Sequence, residues 1–226
     1  MVQVKSINTV TGELHNLMNF DLPKKISVFP LRGAIFFPKT NLPLNIFEKR
    51  YVNMVEDALK GDKYIGMIQS NKVDGGVFKV GCLGKIDKHE RMSDGRILIN
   101  LKGLSRFRIK EEIENKKLYR EFLVNYDDFK KDTNLKEYKV KDELLIKLIN
   151  NSKKYFYQQG MLIDWKEISK LEAFQQIYTL AMISPFSASE KQKVLEVADL
   201  NEAANTLNEI TKFGFYEDNM DKDKLQ

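Results

Sequence analysis

The sequence predicts an α+β protein: a small, strongly bent barrel or sandwich of short strands with one packed helix, followed by a bundle of α-helices. Three observations carry this prediction. Up to Tyr126, short apolar runs recur, each bounded by Gly, Pro, Asp or Asn, as in an all-β unit. A single helical pattern of Tyr51, Met54, Val55, Ala58 and Leu59 interrupts them at three- and four-residue steps. Beyond the hydrophilic stretch DDFKKDTNLKE, residues 127–137, the apolar spacing is helical throughout.

Ile26, Val28 and Phe29 predict a strand ending at Pro30, and Ala34 to Phe37 a second one ending at Pro38, because a proline cannot donate to a ladder. Asn45 is placed to cap a helix, with Glu48 three residues on to complete a capping box. The helix runs from Phe47 to Lys60, and Gly61 sits where a left-handed C-terminal residue is wanted. Further strands are expected over Tyr64 to Gln69, Phe78 to Leu83, Lys85 to Arg91, Arg96 to Leu101, Phe107 to Glu112 and Tyr119 to Tyr126. Ser93, Asp94 and Gly95 form the clearest hairpin turn.

The stretch 127–137 has no apolar periodicity, so residues 1–126 are expected to form the β domain and 138–216 the bundle, with an exposed linker between them. Val140, Leu144, Leu145, Leu148, Ile149 and Phe156 mark a long helix ending near Gly160, and a second spans Trp165 to Ile183. Pro185 stops it. Ser187 with Glu190 forms a capping box for a short third helix, Asn201 caps a fourth that reaches Gly214, and residues 217–226 are expected to fray.

A chain of 226 residues with 42% hydrophobic and 31% charged residues is long enough for a substantial core. It has no apolar run of membrane-spanning length and no signal-peptide core, which predicts a cytoplasmic protein without a membrane. Cys82 is alone and lies in an apolar strand pattern, so it is expected to be buried and unreactive. The net charge is +5, and the first 130 residues carry 23 basic against 16 acidic groups. That excess raises nucleic acid as a partner. Arg106, Arg108 and Lys110 alternate with Phe107 and Ile109, so they share a strand face that could meet an anionic partner. The plainer account is a solvated face paired with Glu111, Glu112 or Glu114.

Catalytic patterns are missing. His15 and His89 have no metal-ligand spacing around them, no Gly-rich phosphate loop opens a helix, and no Gly-x-Ser-x-Gly elbow occurs. The expectation is a protein without enzymatic activity, metal or cofactor. Pro30, Gly33, Pro38, Pro43, Phe47 and Tyr51 are best explained as turn makers and core anchors. Candidate protein-binding residues are Phe36 and Phe37, which point to opposite faces of a strand so that one stays outside the core, and Met92 at a hairpin tip, where a flexible thioether suits varied apolar partners.

The run FPLRGAIFFPKTNLPLNIFEKRYVNMV, with Pro-Leu-x-Gly, Phe-Pro and Leu-Pro-Leu-x-Ile-Phe-Glu-x-Arg-Tyr in order, resembles the opening motif of the Lon protease N-terminal, substrate-binding domain. The later run KVGCLGKIDKHERMSDGRILINLKGLSRFRI resembles the same domain, through its Val-Gly, Asp-Gly-Arg and Gly-x-x-Arg-Phe elements, and SPFSASEKQKVLEVADL does so within the helical part. The resemblance implies a PUA-like β domain followed by a helical bundle. It also implies a binding role without the ATPase and protease domains into which Lon proteases continue, so a stand-alone form is expected. The partners implied are unfolded or degradation-marked polypeptides, or a protease or chaperone assembly. The competing expectation is an RNA-binding module, since PUA-like domains include RNA binders.

Overall fold

The computed structural model describes residues 22–70, 76–134 and 139–223, with side chains described up to residue 215. His15 lies outside them. The β part comprises β1 (Lys25–Leu31), β2 (Asn41–Ile46), β3 (Tyr64–Ser70), β4 (Val77–Arg91), β5 (Ile97–Ile113) and β6 (Arg120–Asn125), with α1 (Lys49–Lys60) between β2 and β3. The helical part comprises α2 (Asp142–Gln158), α3 (Trp165–Ser169), α4 (Ala173–Ile183), α5 (Ala188–Glu196) and α6 (Leu200–Asp223). The mixed architecture is as expected.

The sheet is neither a sandwich nor a regular barrel. Its six strands run in the order β2-β5-β4-β3-β1-β6, and β6 also pairs with β5. Five strands thus bend round to meet, because β5 pairs with β2 along its first part and with β6 along its last. β1 and β3 are parallel, and the other pairings are antiparallel. β2 stands outside the ring, and its second edge has no partner strand among the described residues.

Four local expectations are corrected. Residues 34–37 are not a strand; the true second strand is β2, where Leu42 and Ile46 face inward and Asn41, Pro43 and Asn45 outward. Asn45 is used by that strand, opposite Leu98, so it cannot cap α1, which starts after Glu48 without a side-chain cap. Gly61 is extended, and Lys63 takes the positive φ of 66° instead. The strands read as separate on either side of Gly84 and Gly103 are continuous in β4 and β5.

Those two glycines show why. A Cβ on Gly103 would lie 2.3 Å from the Phe37 carbonyl oxygen, and one on Gly84 would lie 2.8 Å from the Phe36 ring. Residues 34–40 therefore lie flat against the β4–β5 ribbon at points where only glycine gives room. The Gly103 N–H donates to the Thr40 carbonyl (2.9 Å), and the Gly103 carbonyl accepts from Lys39 N–H (3.0 Å).

In the helical part, the expected long second helix breaks into α3 and α4. Asp164 caps α3, accepting from Lys166 and Glu167 N–H. The Ser187–Glu190 capping box opens α5 as predicted. Asp199, not Asn201, caps α6, accepting from the N–H groups of Asn201 and Glu202, while the Asn201 side chain binds the backbone of Lys139 and Lys141. α6 continues past Gly214 to Asp223, into the stretch expected to fray.

The core has three parts. One lies between α1 and the sheet, around Tyr51, Met54, Val55, Ile86 and Leu101. A second fills the bend beneath β1, β5 and β6, around Val28, Leu83, Phe107 and Phe122. The third belongs to both halves of the chain: Ile35, Phe37, Val80 and Phe129 join Leu148, Phe156, Ile177, Tyr178 and Leu207 of the bundle. The 3-10 segment Asp127–Thr133, inside the stretch expected to be an exposed linker, buries Phe129 and Asp132 in that junction. Its mixed charges hid one apolar anchor and one buried carboxylate.

Candidate protein-binding surface

The two adjacent phenylalanines do point in opposite directions, but each meets a core. Phe36 packs under α1 with Met54 and Ile86, and Phe37 packs in the junction, stacking on Tyr178 with ring centroids 5.5 Å apart. Both are buried, which corrects the expectation that one stays outside. A short segment sandwiched between two cores needs large apolar side chains on both sides.

The basic strand face also divides. Arg106 is fully buried: its backbone N–H and Nε donate to Asp132 Oδ2 (2.8 and 2.9 Å), and a second guanidinium nitrogen donates to Oδ1 (2.8 Å). The rest of the fork donates to the carbonyls of Leu195, in the last turn of α5, and of Val197 and Ala198 just past it, and the group lies 4.5 Å from the Phe129 ring centroid. Arg106 thus ties the sheet to the bundle and offers nothing to an outside anion. Arg108 pairs with Asp128 at 2.6 Å, and Lys110 is exposed, so the three do not act as one face. Register breaks in β5 between Ile109 and Glu111 accompany this divergence.

Met92 is half-buried at the β4–β5 turn, where its N–H donates to the Arg96 carbonyl (2.9 Å) and its carbonyl accepts from Gly95 N–H (3.1 Å). Gly95 takes φ +88°, as the turn requires. Asp94 accepts from Arg96 N–H and Nε, and these hydrogen bonds hold its carboxyl below the usual range. Arg91 pairs with Glu56, which holds α1 beside the hairpin, and the hydroxyl of Tyr119, just before β6, donates to Asp57 of the same helix at 2.8 Å.

Phe47 is the residue that sequence reasoning misplaced. Assigned to the core, it is 68% exposed, directly after β2. The preceding residue, Ile46, pairs with Ile97, so Phe47 leaves the sheet beside the Arg96 turn. Leu98, also exposed, points outward from β5 opposite Asn45. Continued by one residue, the register sets Phe47 level with Arg96, with Leu98 two residues along β5 and Met92 on the far side of Arg96. Next to them, an open depression is lined by Lys88, Glu90, Leu98 and Asn100. The signal was present in NLPLNI, whose alternation of Leu42, Leu44 and Ile46 with Asn41, Pro43 and Asn45 is that of a half-buried strand.

Cys82 is buried, and that burial pushes its thiol well up, away from the reactive thiolate. His89 is exposed on β4. No cluster of three or more His, Cys, Asp or Glu side chains able to hold a metal occurs among the described residues, and no described helix is long and apolar enough to cross a membrane.

Residues 25–212 match the model of the ATP-dependent protease La (LON) substrate-binding domain. The chain is 27% identical over 195 residues to a Lon protease of Dictyoglomus thermophilum, covering 80% of this chain and 23% of that protein. It is 26% identical over 198 residues to a Lon protease of Cytophaga hutchinsonii, covering 83% of this chain and 24% of the relative. The chain therefore spans about a quarter of the length of these relatives. In structure it is similar to a Lon N-terminal domain protein from Xanthomonas campestris (TM-score 0.57, 19% identity, 81% of this chain and 96% of that one). It is also similar to the N-terminal domain of a Mycobacterium avium complex Lon protease (TM-score 0.60, 16% identity, 84% and 98%).

Proposed function

The chain belongs to the Lon substrate-binding domain family, and from that premise we propose that it is a non-catalytic module recognising unfolded or degradation-marked polypeptide in the service of a protease or chaperone assembly. The observation that carries this reading is Phe47, a large aromatic left 68% exposed at the end of a strand whose outer edge no described strand covers, with Leu98 and Met92 at the same end of the β4–β5 hairpin. An exposed aromatic costs solvation, and clustered with a second apolar group and a thioether it suits partners of varied apolar sequence. Leu98 and Met92 sit on a hairpin braced by α1, and Phe47 lies between β2 and that helix, so the contact surface is held in place before a partner arrives.

The reading is non-catalytic because binding is the chemistry the surface supports: apolar contact and open backbone groups, with no activated nucleophile beside them. Purified protein incubated with casein and ATP is expected to leave both intact, and turnover that follows the protein through successive columns would contradict this. Binding itself is tested by fluorescence anisotropy with a labelled, reduced and carboxymethylated protein that cannot fold. We expect micromolar-range affinity that changes little between low and high salt, falls at least tenfold in Phe47→Asp, and is unaffected by Arg108→Ala. RNA binding that collapses at high salt, with no polypeptide binding, would replace this reading, because neutralised phosphates release counterions and apolar contacts do not.

A further inference from the structure

The edge of β2 that no described strand covers has a defined hydrogen-bonding phase. Gly103 bonds to Thr40 and Lys39, and along a strand backbone groups face alternate sides at each residue. Carried along the register, this phase turns the amides of Leu42, Leu44 and Ile46 toward β5 and those of Asn41, Pro43 and Asn45 toward the open edge. Pro43 fits this assignment, since the N–H it lacks would have pointed outward. The edge therefore offers paired donor and acceptor groups at Asn41 and Asn45, and an acceptor alone at Pro43 between them.

The face beside this edge is polarised. Rows of outward side chains cross it: Asn41, Lys102 and Lys85; then Pro43, Asn100 and Lys88; then Asn45, Leu98 and Glu90, with Phe47 beyond. Positive charge lies at the Asn41 end. Apolar surface and the negative Glu90 lie at the other. A second copy of β2 is a poor occupant, because antiparallel pairing centred on Pro43 sets two prolines opposite each other with no N–H to exchange.

We propose, on the reading that this is a polypeptide-recognition module, that β2 takes an extended, proline-free segment of a client as an added antiparallel strand. The segment places an apolar side chain toward Phe47 and Leu98. An acidic side chain about four residues farther toward its C-terminus faces Lys102 and Lys88, because strand residues two apart share a face and antiparallel pairs are the more stable. Glu90 repels the reverse placement.

The test uses a fluorescein-labelled nine-residue peptide on a Thr and Val background, with Phe at its third position and Asp at its seventh, titrated with the whole chain. Two further versions are N-methylated at odd or at even positions. Binding is expected to survive one methylation pattern and vanish with the other, since only alternate amides face β2, and to weaken when the order of Phe and Asp is reversed. Pro43→Val restores an outward N–H and is expected to tighten binding about fivefold, the gain of one net hydrogen bond. Equal effects of the two methylation patterns, or no gain from Pro43→Val, while the carboxymethylated protein still binds, would overturn strand addition and leave the recognition reading standing. Loss of both peptide and unfolded-protein binding would defeat both.

Discussion

A buried guanidinium decides how the two halves are joined. Arg106 satisfies its donors with the Asp132 carboxylate and three carbonyls at the end of α5, so removing Asp132 leaves a charge in the junction without its counter-ion. Breaking such a pair costs about 3–5 kcal/mol, whereas replacing both partners with apolar groups of similar volume is close to neutral. Asp132→Ala is therefore expected to lose roughly that amount in urea denaturation, and the double variant Arg106→Met with Asp132→Leu to recover much of it. A double variant no more stable than Asp132→Ala would remove the ion-pair explanation. Cys82 supplies a second check, because its burial keeps the thiol protonated at neutral pH. Iodoacetamide is expected to label it only after unfolding, and rapid native-state labelling at pH 8 would contradict the packing described. Neither role of Arg106 was legible in the sequence. Its neighbours alternate as in a surface strand, and its partner lies 26 residues away in a hydrophilic run. Cys82, by contrast, was legible from its apolar surroundings.

Strands and helices with one clean period were legible, and segments used by two neighbours at once were not. β1, β3, α1 and α2 follow the spacing of their apolar residues closely. Residues 34–37 look like a strand because four apolar residues precede a proline, yet their side chains serve two cores and their backbone joins the sheet only at Lys39 and Thr40. The segment Asp127–Thr133 looks like a linker for the opposite reason, since charge surrounds a single buried phenylalanine. Because Phe37, Val80 and Phe129 share a core with the bundle, the two halves are expected to unfold together. Trp165 fluorescence reports the bundle and far-UV circular dichroism reports both halves, so their urea midpoints should coincide. Phe37→Ala should shift both by the equivalent of about 3–5 kcal/mol, the usual cost of an aromatic cavity. Separate midpoints would show that the halves are independent domains.

For the molecule as a whole, the family and its α+β architecture were legible in the motifs, whereas the corner proposed to bind polypeptide was mostly not. Met92 was singled out, but Phe36 and Phe37 are interior and Phe47 was assigned to the core, since a large aromatic in a motif is usually buried. Arg106, Arg108 and Lys110 do not gather into an anion-binding face, because Arg106 is internal and Arg108 is paired. What stands out instead is an apolar, edge-exposed corner on the β half. The bundle has exposed apolar residues too, Tyr157 among them at 86%, and these make a control within the same protein. The decisive measurement is in-cell crosslinking from a photoreactive amino acid placed at residue 47 in one preparation and at residue 157 in another, with protein and RNA adducts identified separately. The account predicts abundant adducts with many polypeptides from position 47 and few from position 157. RNA as the main adduct, or equal polypeptide capture at both positions, would contradict it.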